Sequence, residues 1–140
     1  KNLSFGEPVL YRGHTQCITA VEVSPTTSNT FFSCSKDGSL IKWDRTTGKK
    51  TFLTMGKQDK HEVLQCSTVD AVHVYQWEGT ILATGSSDST IQLWDAERDV
   101  LITTLKSHKG DVNGLKFGLN SNDKLVSVST DRTIKLWDAV

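Results

Sequence analysis

The stretch that decides the fold is Ser129-Thr130-Asp131-Arg132-Thr133-Ile134-Lys135-Leu136-Trp137-Asp138. Two similar stretches precede it, SSDSTIQLWD at residues 86–95 and SKDGSLIKWD at residues 35–44. Each has a serine at the end of an extended segment, an aspartate in a turn, and alternating apolar residues that lead to Trp-Asp. Because self-similarity at a fixed spacing is the signature of repeat proteins, the sequence predicts a fold built from repeated units.

The spacing of two landmarks defines these units. The tryptophans of the three copies, Trp43, Trp94 and Trp137, are 51 and 43 residues apart. A repeat unit of four strands has a typical period of about 40–45 residues. A histidine stands 29 residues before the first and the last tryptophan, as His14 and His108. The predicted units are residues 9–50, 51–100 and 101–140 of one domain that spans residues 1–140.

Short apolar runs between turn residues predict an all-β fold. Ile18, Val21 and Val23 mark one strand, which ends at the turn signal Ser24-Pro25. Equivalent apolar positions and turn signals recur in the second and third units. No window has the periodicity of an amphipathic helix.

The charge of the chain is balanced as a whole but uneven along its length. The chain has 16 lysines and arginines and 16 aspartates and glutamates, so the total indicates neither a nucleic acid nor a membrane partner. Residues 36–60 carry a net charge of +4, and residues 61–100 carry a net charge of −6. These segments predict sectors of opposite charge, although ordinary surface scatter explains the difference equally well.

The three cysteines, Cys17, Cys34 and Cys66, form neither a Cys-x-x-Cys pair nor a zinc-binding spacing. An odd number argues against a disulfide framework and suits a reducing, intracellular location. The sequence has no apolar run of the roughly 18 residues that a membrane span needs, and no signal peptide. We therefore expect an intracellular protein without a membrane partner.

A search for catalytic and metal-binding motifs finds none. Gly48-Lys49-Lys50 lacks the upstream glycine of a phosphate-binding loop. His61, Cys66 and His73 do not have the spacing of metal ligands, and no Gly-x-Ser-x-Gly elbow is present. The sequence therefore predicts a protein that is not an enzyme and that uses no metal, cofactor or small-molecule substrate.

With three Trp-Asp copies in register with serines, aspartates and two histidines, the chain resembles the WD-repeat β-propeller family over nearly its whole length. The resemblance implies propeller blades, in which the strand before Gly13-His14 is the outer strand of a preceding blade. Propellers have about four to eight blades, so three repeats imply part of a larger propeller, of about seven blades. A homodimer of two three-blade halves is the less favoured alternative.

The resemblance also implies a buried hydrogen-bond network of one histidine, serine, aspartate and tryptophan in each repeat. Its members are His14, Ser35, Asp37 and Trp43 in the first repeat, Ser86, Asp88 and Trp94 in the second, and His108, Ser129, Asp131 and Trp137 in the third. A buried indole N–H and imidazole need partners, and an aspartate can hold a histidine in one tautomer. Because the set recurs, a structural role is favoured over catalysis. The second repeat has Gln65 at the histidine position, and whether His61 replaces it stays open.

Members of this family often bind partners on the face formed by the turns before the aspartates and by the starts of the inner strands. The resemblance carries this role to nine residues: Cys17, Thr19, Lys36, Thr68, Asp70, Ser87, Asp111, Asn113 and Thr130. Their side chains are mostly small and polar, without the tyrosine, tryptophan or arginine anchors of a binding hot spot. Ordinary solvated loop residues are an equally good interpretation of each.

One subfamily is similar beyond the generic repeat. Residues 3–8 (LSFGEP), 35–43 (SKDGSLIKW) and 107–117 (SHKGDVNGLKF), with the polar insertion after the first blade, resemble the WD-repeat subunits of U-three small nucleolar ribonucleoproteins. The resemblance implies a non-catalytic scaffold in pre-rRNA processing and small-subunit ribosome biogenesis, in the nucleus or nucleolus. Its partners would be proteins of the ribonucleoprotein assembly and small nucleolar RNA.

A basic segment in and after the first repeat is the candidate for contact with RNA phosphates. Its residues are Lys42, Arg45, Lys49, Lys50, Lys57 and Lys60. Their alternative role is to keep a strand edge soluble and unpaired. The alternative function is a protein-only WD-repeat adaptor, such as a splicing, chromatin or ubiquitin-ligase scaffold, that binds a partner peptide on the propeller face.

Overall fold

The computed structural model describes residues 2–54, 66–74, 79–118 and 124–138. All the regular elements among these residues are β-strands, so the all-β prediction is confirmed for this part of the chain. The strands are β1 (Ile18–Val23), β2 (Thr30–Ser35), β3 (Ser39–Asp44), β4 (Lys50–Thr54), β5 (Cys66–Val74), β6 (Gly79–Ser86), β7 (Thr90–Asp95), β8 (Val100–Lys106), β9 (Val112–Phe117), β10 (Lys124–Ser129) and β11 (Ile134–Asp138). No helix in these segments is long and apolar enough to cross a membrane.

The strands form three antiparallel sheets in which neighbours along the chain are neighbours in the sheet. The first sheet has the order β1-β2-β3-β4, the second β5-β6-β7-β8, and the third β9-β10-β11. The sheets are offset from the sequence units by one strand. Strand β4 begins the second predicted unit but pairs with β3, and β8 pairs with β7.

The turn between the second and third strands of each sheet explains the recurring Ser-x-Asp pattern. Gly38, Ser89 and Arg132 occupy equivalent positions there with φ of 82°, 74° and 69°. Each donates its backbone N–H to the carbonyl of the serine three residues earlier, at 3.1–3.2 Å. Left-handed backbone favours glycine, so serine and arginine are strained at this position.

The sheets pack face to face through two apolar cores. The first core joins Phe32, Cys34, Leu40 and Leu53 of the first sheet to Cys66, Val69, Leu82, Trp94 and Ala96 of the second. The second core joins Ala83 and Ile91 of the second sheet to Val112 and Leu125, with Trp137 packed against it. In both cores a sheet presents its tryptophan-bearing face to the sheet before it. As a result the first strands, β1, β5 and β9, are neighbours.

Two sheet faces are left uncovered by another sheet in the described residues. On the third sheet, Val126, Val128, Ile134 and Leu136 lie on one face and are 37–75% exposed. On the first sheet, Val21, Val23 and Phe52 are exposed on the tryptophan-bearing face. The segment before β1 covers part of that face, because Gly13 lies against Ile41 and Trp43.

Candidate functional site

The first repeat contains a continuous hydrogen-bond network at its tryptophan-bearing face. The Trp43 indole donates Nε1–H to Ser33 Oγ at 2.7 Å, and His14 Nε2 lies 2.6 Å from the same oxygen. His14 Nδ1 lies 2.7 Å from Ser39 Oγ, which donates to Asp37 Oδ1. This pattern fits a neutral imidazole with its proton on Nδ1. Burial lowers the pKa of His14, against the opposing effect of Asp37, which agrees with a neutral ring.

The third repeat has the same network with a more direct contact to its aspartate. The Trp137 indole donates to Ser127 Oγ at 2.9 Å, and His108 Nε2 lies 2.7 Å from that oxygen. His108 Nδ1 donates directly to Asp131 Oδ2 at 2.8 Å. In the first repeat, the corresponding distance from His14 to Asp37 is 3.7 Å.

Asp37 and Asp131 also connect two parts of their repeats, the segment before the first strand of the sheet and the turn between its second and third strands. Asp37 accepts the backbone N–H groups of Thr15 and Ser39, each at 2.8 Å. Asp131 accepts those of Lys109 at 3.0 Å and Thr133 at 2.8 Å. Partial burial raises the pKa of Asp37, but hydrogen bonds from Ser39 and Thr15 outweigh it and hold the pKa well below the usual range. The Thr133 hydroxyl and the Lys109 N–H lower the pKa of Asp131 in the same direction.

The serine at the centre of each network differs from the predicted one, and the assignment of Ser35 and Ser129 to that position is wrong. Ser33 and Ser127 hold it, two residues earlier in the strand. The cause is cross-strand register, because Trp43 lies opposite Phe31, and its indole therefore reaches Ser33 rather than Ser35. A signal was present in the sequence, since a serine or threonine stands ten residues before every Trp-Asp tryptophan.

The predicted serines have a different, local role. The hydroxyl oxygens of Ser35, Ser86 and Ser129 accept the N–H of the aspartate two residues later, at 3.1–3.3 Å. Ser35 and Ser129 also donate to the carbonyl oxygens of Gln16 and Gly110, in the segments before β1 and β9. These serines therefore stabilise the turn and its contact with the preceding segment.

The second repeat keeps the tryptophan and aspartate parts of the network. Trp94 donates its indole N–H to Thr84 Oγ1 at 3.0 Å, so a threonine replaces the central serine. Asp88 accepts the N–H and hydroxyl of Thr90, at 3.0 and 2.6 Å. His61 and Gln65 lie outside the described residues, and a role for His61 stays a prediction.

The hydrogen bonds of these networks have a structural role rather than a catalytic one. Ser33 and Ser127 are 3% and 0% exposed, and the hydroxyl of each already bonds an indole and an imidazole. A hydroxyl that is engaged on both sides and shielded from solvent cannot meet a substrate as a nucleophile. Among the described residues, no group of three or more histidine, cysteine or acidic side chains could hold a metal ion.

Six of the nine predicted partner-binding residues are exposed, and one of them, Thr19, is described below. The other five lie at one end of the sheets, here called the partner end, and are Cys17, Lys36, Asp111, Asn113 and Thr130. The Lys36 N–H donates to the Cys17 carbonyl, and the Thr130 N–H donates to the Asp111 carbonyl, each at 3.0 Å. Turn and strand start are thus adjacent in the first and third sheets. Thr68 and Ser87, in the second sheet, are half-buried.

Two of the predicted partner-binding residues instead connect the sheets. Asp70 is 2% exposed, and its carboxylate accepts the Lys116 ammonium at 2.9 Å and the Phe117 N–H at 2.7 Å. The assignment of Asp70 to a partner surface is therefore wrong. The Thr19 hydroxyl donates to the carbonyl oxygen of Cys66 in the next sheet at 2.6 Å, so its polar group is already engaged.

Three of the predicted RNA-contacting residues, Arg45, Lys49 and Lys50, are exposed at the end opposite the partner end, in or beside the turn between β3 and β4. Lys42 does not belong to this group. Its ammonium donates to the Ala96 carbonyl at 2.6 Å and to Asp99 at 2.9 Å, in the turn between β7 and β8. Lys42 therefore links the first two sheets, and its contact with RNA stays a prediction. Lys57 and Lys60 lie outside the described residues.

Comparisons with known proteins relate this geometry to a family. A family model described as WD domain, G-beta repeat matches residues 7–44, 58–95 and 99–138. A ribosome biogenesis protein WDR12 homolog from Oryza sativa subsp. japonica is 31% identical over 132 residues, which cover 91% of this chain and 28% of that protein.

Two solved structures are similar in both fold and sequence. The RRP9 WD40 repeats superpose with a TM-score of 0.76 at 29% identity, covering 91% of this chain and 37% of that chain. U3-55K superposes with a TM-score of 0.74 at 28% identity, covering 91% of this chain and 38% of that chain. The chain therefore spans less than two fifths of the length of the proteins it matches here.

Proposed function

Because the chain belongs to the WD-domain, G-beta repeat family, we propose that it is a non-catalytic scaffold of a small nucleolar ribonucleoprotein. In this proposal it acts in pre-rRNA processing and small-subunit ribosome biogenesis, in the nucleus or nucleolus. The observation that supports it most directly is the likeness to the RRP9 WD40 repeats and U3-55K over 91% of this chain. The similarity to a ribosome biogenesis protein agrees with it.

The geometry suits a scaffold because polar side chains connect its sheets while both of their ends remain accessible. Lys42 and Thr19 join the first sheet to the second, and Asp70 joins the second to the third. The partner end offers small polar side chains, and the opposite end offers exposed cations at the β3–β4 turn. We propose that proteins of the assembly dock at the partner end and that RNA contacts the basic end.

The test is affinity purification of the full-length tagged protein from nuclear extract, followed by sequencing of RNA and mass spectrometry of proteins. We expect enrichment of one box C/D small nucleolar RNA together with ribosome-assembly proteins. Recovery of specific proteins with only background RNA would contradict the ribonucleoprotein role and support the protein-only adaptor.

A charged substitution at the partner end tests the docking surface. Asn113 is exposed on β9, so Asn113→Arg adds a bulky cation without disturbing a core. We expect it to deplete partner proteins from the purified assembly. Thr103→Arg, an exposed position on the outer strand β8, is the matched control and should leave the assembly intact. Equal recovery of partners with both variants would exclude docking at the partner end.

A further inference from the structure

A shallow, open cavity of about 430 Å³ lies at the end of the first sheet opposite the partner end. It is lined by Val9, Tyr11, Asn29, Arg45 and Thr46. The segment before β1 contributes the first two residues, and the turns that follow β1 and β3 contribute the rest.

The aromatic wall of this cavity is held in place by the core of the first sheet. The Tyr11 ring meets Phe31 edge-on at 5.1 Å and 87°, and meets Trp43 at 5.6 Å and 73°. Tyr11 is half-buried, and the apolar side chain of Val9 lines the same cavity. A ring that is already ordered loses little conformational freedom when a flat ligand stacks on it.

Arg45, which supplies the positive charge in the lining of the cavity, is also held in place. The Arg45 backbone N–H donates to the Asn29 carbonyl at 2.7 Å, and its guanidinium donates to the Ser28 carbonyl at 2.8 Å. A guanidinium has five N–H donors, so this contact leaves others for a ligand. The neighbouring carboxylate of Asp44 is engaged by the N–H groups of Thr46 and Thr47.

Further positive charge surrounds the cavity. Arg12 follows the cavity residue Tyr11 in sequence, and Lys49 and Lys50 lie within four residues of Thr46. All three are exposed, and the Lys50 ammonium donates to the Arg12 carbonyl at 3.0 Å. The equivalent turn of the second sheet differs in charge. It carries Glu97 and Asp99, and its Arg98 pairs with Asp95 at 2.7 Å. Of these two sheets, only the first therefore carries an excess of positive charge at this turn.

We propose that this cavity binds one nucleotide of single-stranded RNA, with the base stacked on Tyr11 and the adjoining phosphates held by Arg45 and Lys49. An unpaired base offers the flat surface that an aromatic ring accepts, and its phosphates complement a basic rim. Asn29 and Thr46 supply hydrogen-bonding groups for the edge of the base. This inference rests on the proposed ribonucleoprotein function and assigns the RNA contact of that function to a site.

The experiment is fluorescence anisotropy of the full-length protein with a labelled, mixed-sequence single-stranded RNA of about ten nucleotides. Tyr11→Leu removes the stacking ring, and we expect about tenfold weaker binding. Lys49→Glu should weaken binding similarly and reduce the salt slope, by about 0.7 for each lost phosphate contact. Lys109→Glu reverses an exposed charge near the partner end and is the matched control for Lys49→Glu.

Circular dichroism and melting temperatures establish that each variant is folded. If Tyr11→Leu proves unstable, Lys49→Glu and Arg45→Gln carry the test, because Lys49 and Arg45 are exposed turn residues. Ultraviolet crosslinking should give an RNA adduct on the peptide that contains Tyr11. Equal weakening by Lys49→Glu and Lys109→Glu, or unchanged binding in every cavity variant, would overturn the proposal.

The outcome for the cavity is separate from the outcome for the proposed function. If small nucleolar RNA copurifies but the cavity variants bind RNA normally, the cavity inference alone fails. If the cavity variants lose oligonucleotide binding but no small nucleolar RNA copurifies, the RNA site stands and the ribonucleoprotein role fails.

Discussion

At the scale of single residues, one buried hydroxyl holds each repeat together. Ser127 accepts the indole N–H of Trp137 and can donate to His108, so a single oxygen satisfies a partly buried indole nitrogen and a buried imidazole nitrogen. Ser33 does the same in the first repeat. A buried donor or acceptor without a partner costs about 1–3 kcal/mol. The central hydroxyl is therefore where the smallest substitution has the largest effect.

Substitution of this hydroxyl tests the network. We expect Ser127→Ala to lower the free energy of unfolding by about 1–3 kcal/mol, because it removes the partner of the buried His108 nitrogen and of the partly buried Trp137 indole. Ser127→Thr should restore most of the loss, since Thr84 fills the same role in the second repeat. Urea denaturation measures both. A Ser127→Ala protein as stable as the parent would show that the network contributes nothing.

The neutral state of His14 predicts a pH dependence. Burial lowers the pKa of His14 in the folded protein below the usual 6.5. As pH falls through about 6.5, His14 takes up a proton in the unfolded chain but stays neutral in the folded protein, so the free energy of unfolding decreases. His14→Gln should therefore make the free energy of unfolding less dependent on pH between about 7.5 and 5.5. An identical slope for variant and parent would contradict a lowered pKa.

At the scale of strands and sheets, polar contacts beside the apolar cores connect each sheet to the next. The Lys42 ammonium reaches from β3 to the carbonyl oxygen of Ala96 and to Asp99 in the second sheet. Asp70 of β5 receives Lys116 and the Phe117 N–H of β9. Apolar packing alone tolerates sliding, whereas these directional contacts fix one arrangement of neighbouring sheets. Lys42 and Asp70 were predicted to bind partners at the surface, but in the structure they connect neighbouring sheets.

A double-mutant cycle measures the first of these ties. Lys42 and Asp99 are 25% and 34% exposed at their side chains, so solvent weakens their attraction. We expect Lys42→Met and Asp99→Asn to show a coupling energy of about 0.5–1 kcal/mol in thermal or urea unfolding. The pair Lys109→Met and Asp99→Asn should show none. Zero coupling in the first cycle would mean that the contact does not hold the sheets.

At the scale of the whole molecule, the two outermost sheets each carry an uncovered apolar face. Ile134 and Leu136 are 75% and 61% exposed on the third sheet, and Val21 is 63% exposed on the first. In the described residues, the corresponding faces inside the chain are covered by neighbouring sheets. Exposed apolar patches of this kind favour association with other protein surfaces.

The 140-residue chain should therefore associate in solution, and a charge on the uncovered face should prevent it. We expect Leu136→Glu to raise the monomer fraction in sedimentation experiments and to leave the melting temperature nearly unchanged. Leu125→Glu, at a position that is 4% exposed in the second core, should instead abolish cooperative unfolding. Association that is indifferent to Leu136→Glu would show that this face is not responsible.

The sequence by itself determined the strand class and the three-fold repetition, because both depend on local alternation and turn chemistry, which are visible in adjacent residues. The Ser-x-Asp turn, for example, forms from residues that lie within four positions of each other, as in Ser35 to Gly38. The tryptophan, histidine and aspartate members of the networks were implied by the resemblance to WD-repeat proteins and not by local pattern, since each histidine stands 29 residues before its tryptophan.

Only the tertiary structure decided which serine completes each network and what Asp70 and Lys42 do. Ser33 and Ser35 lie on the same face of β2 because side chains alternate with a period of two, so local pattern cannot separate them. The register of β3 against β2, which brings Trp43 opposite Phe31, makes that choice. Lys42 and Asp70 meet partners 46 to 57 residues away. Those contacts exist only after the sheets pack, because they join segments that no local pattern connects.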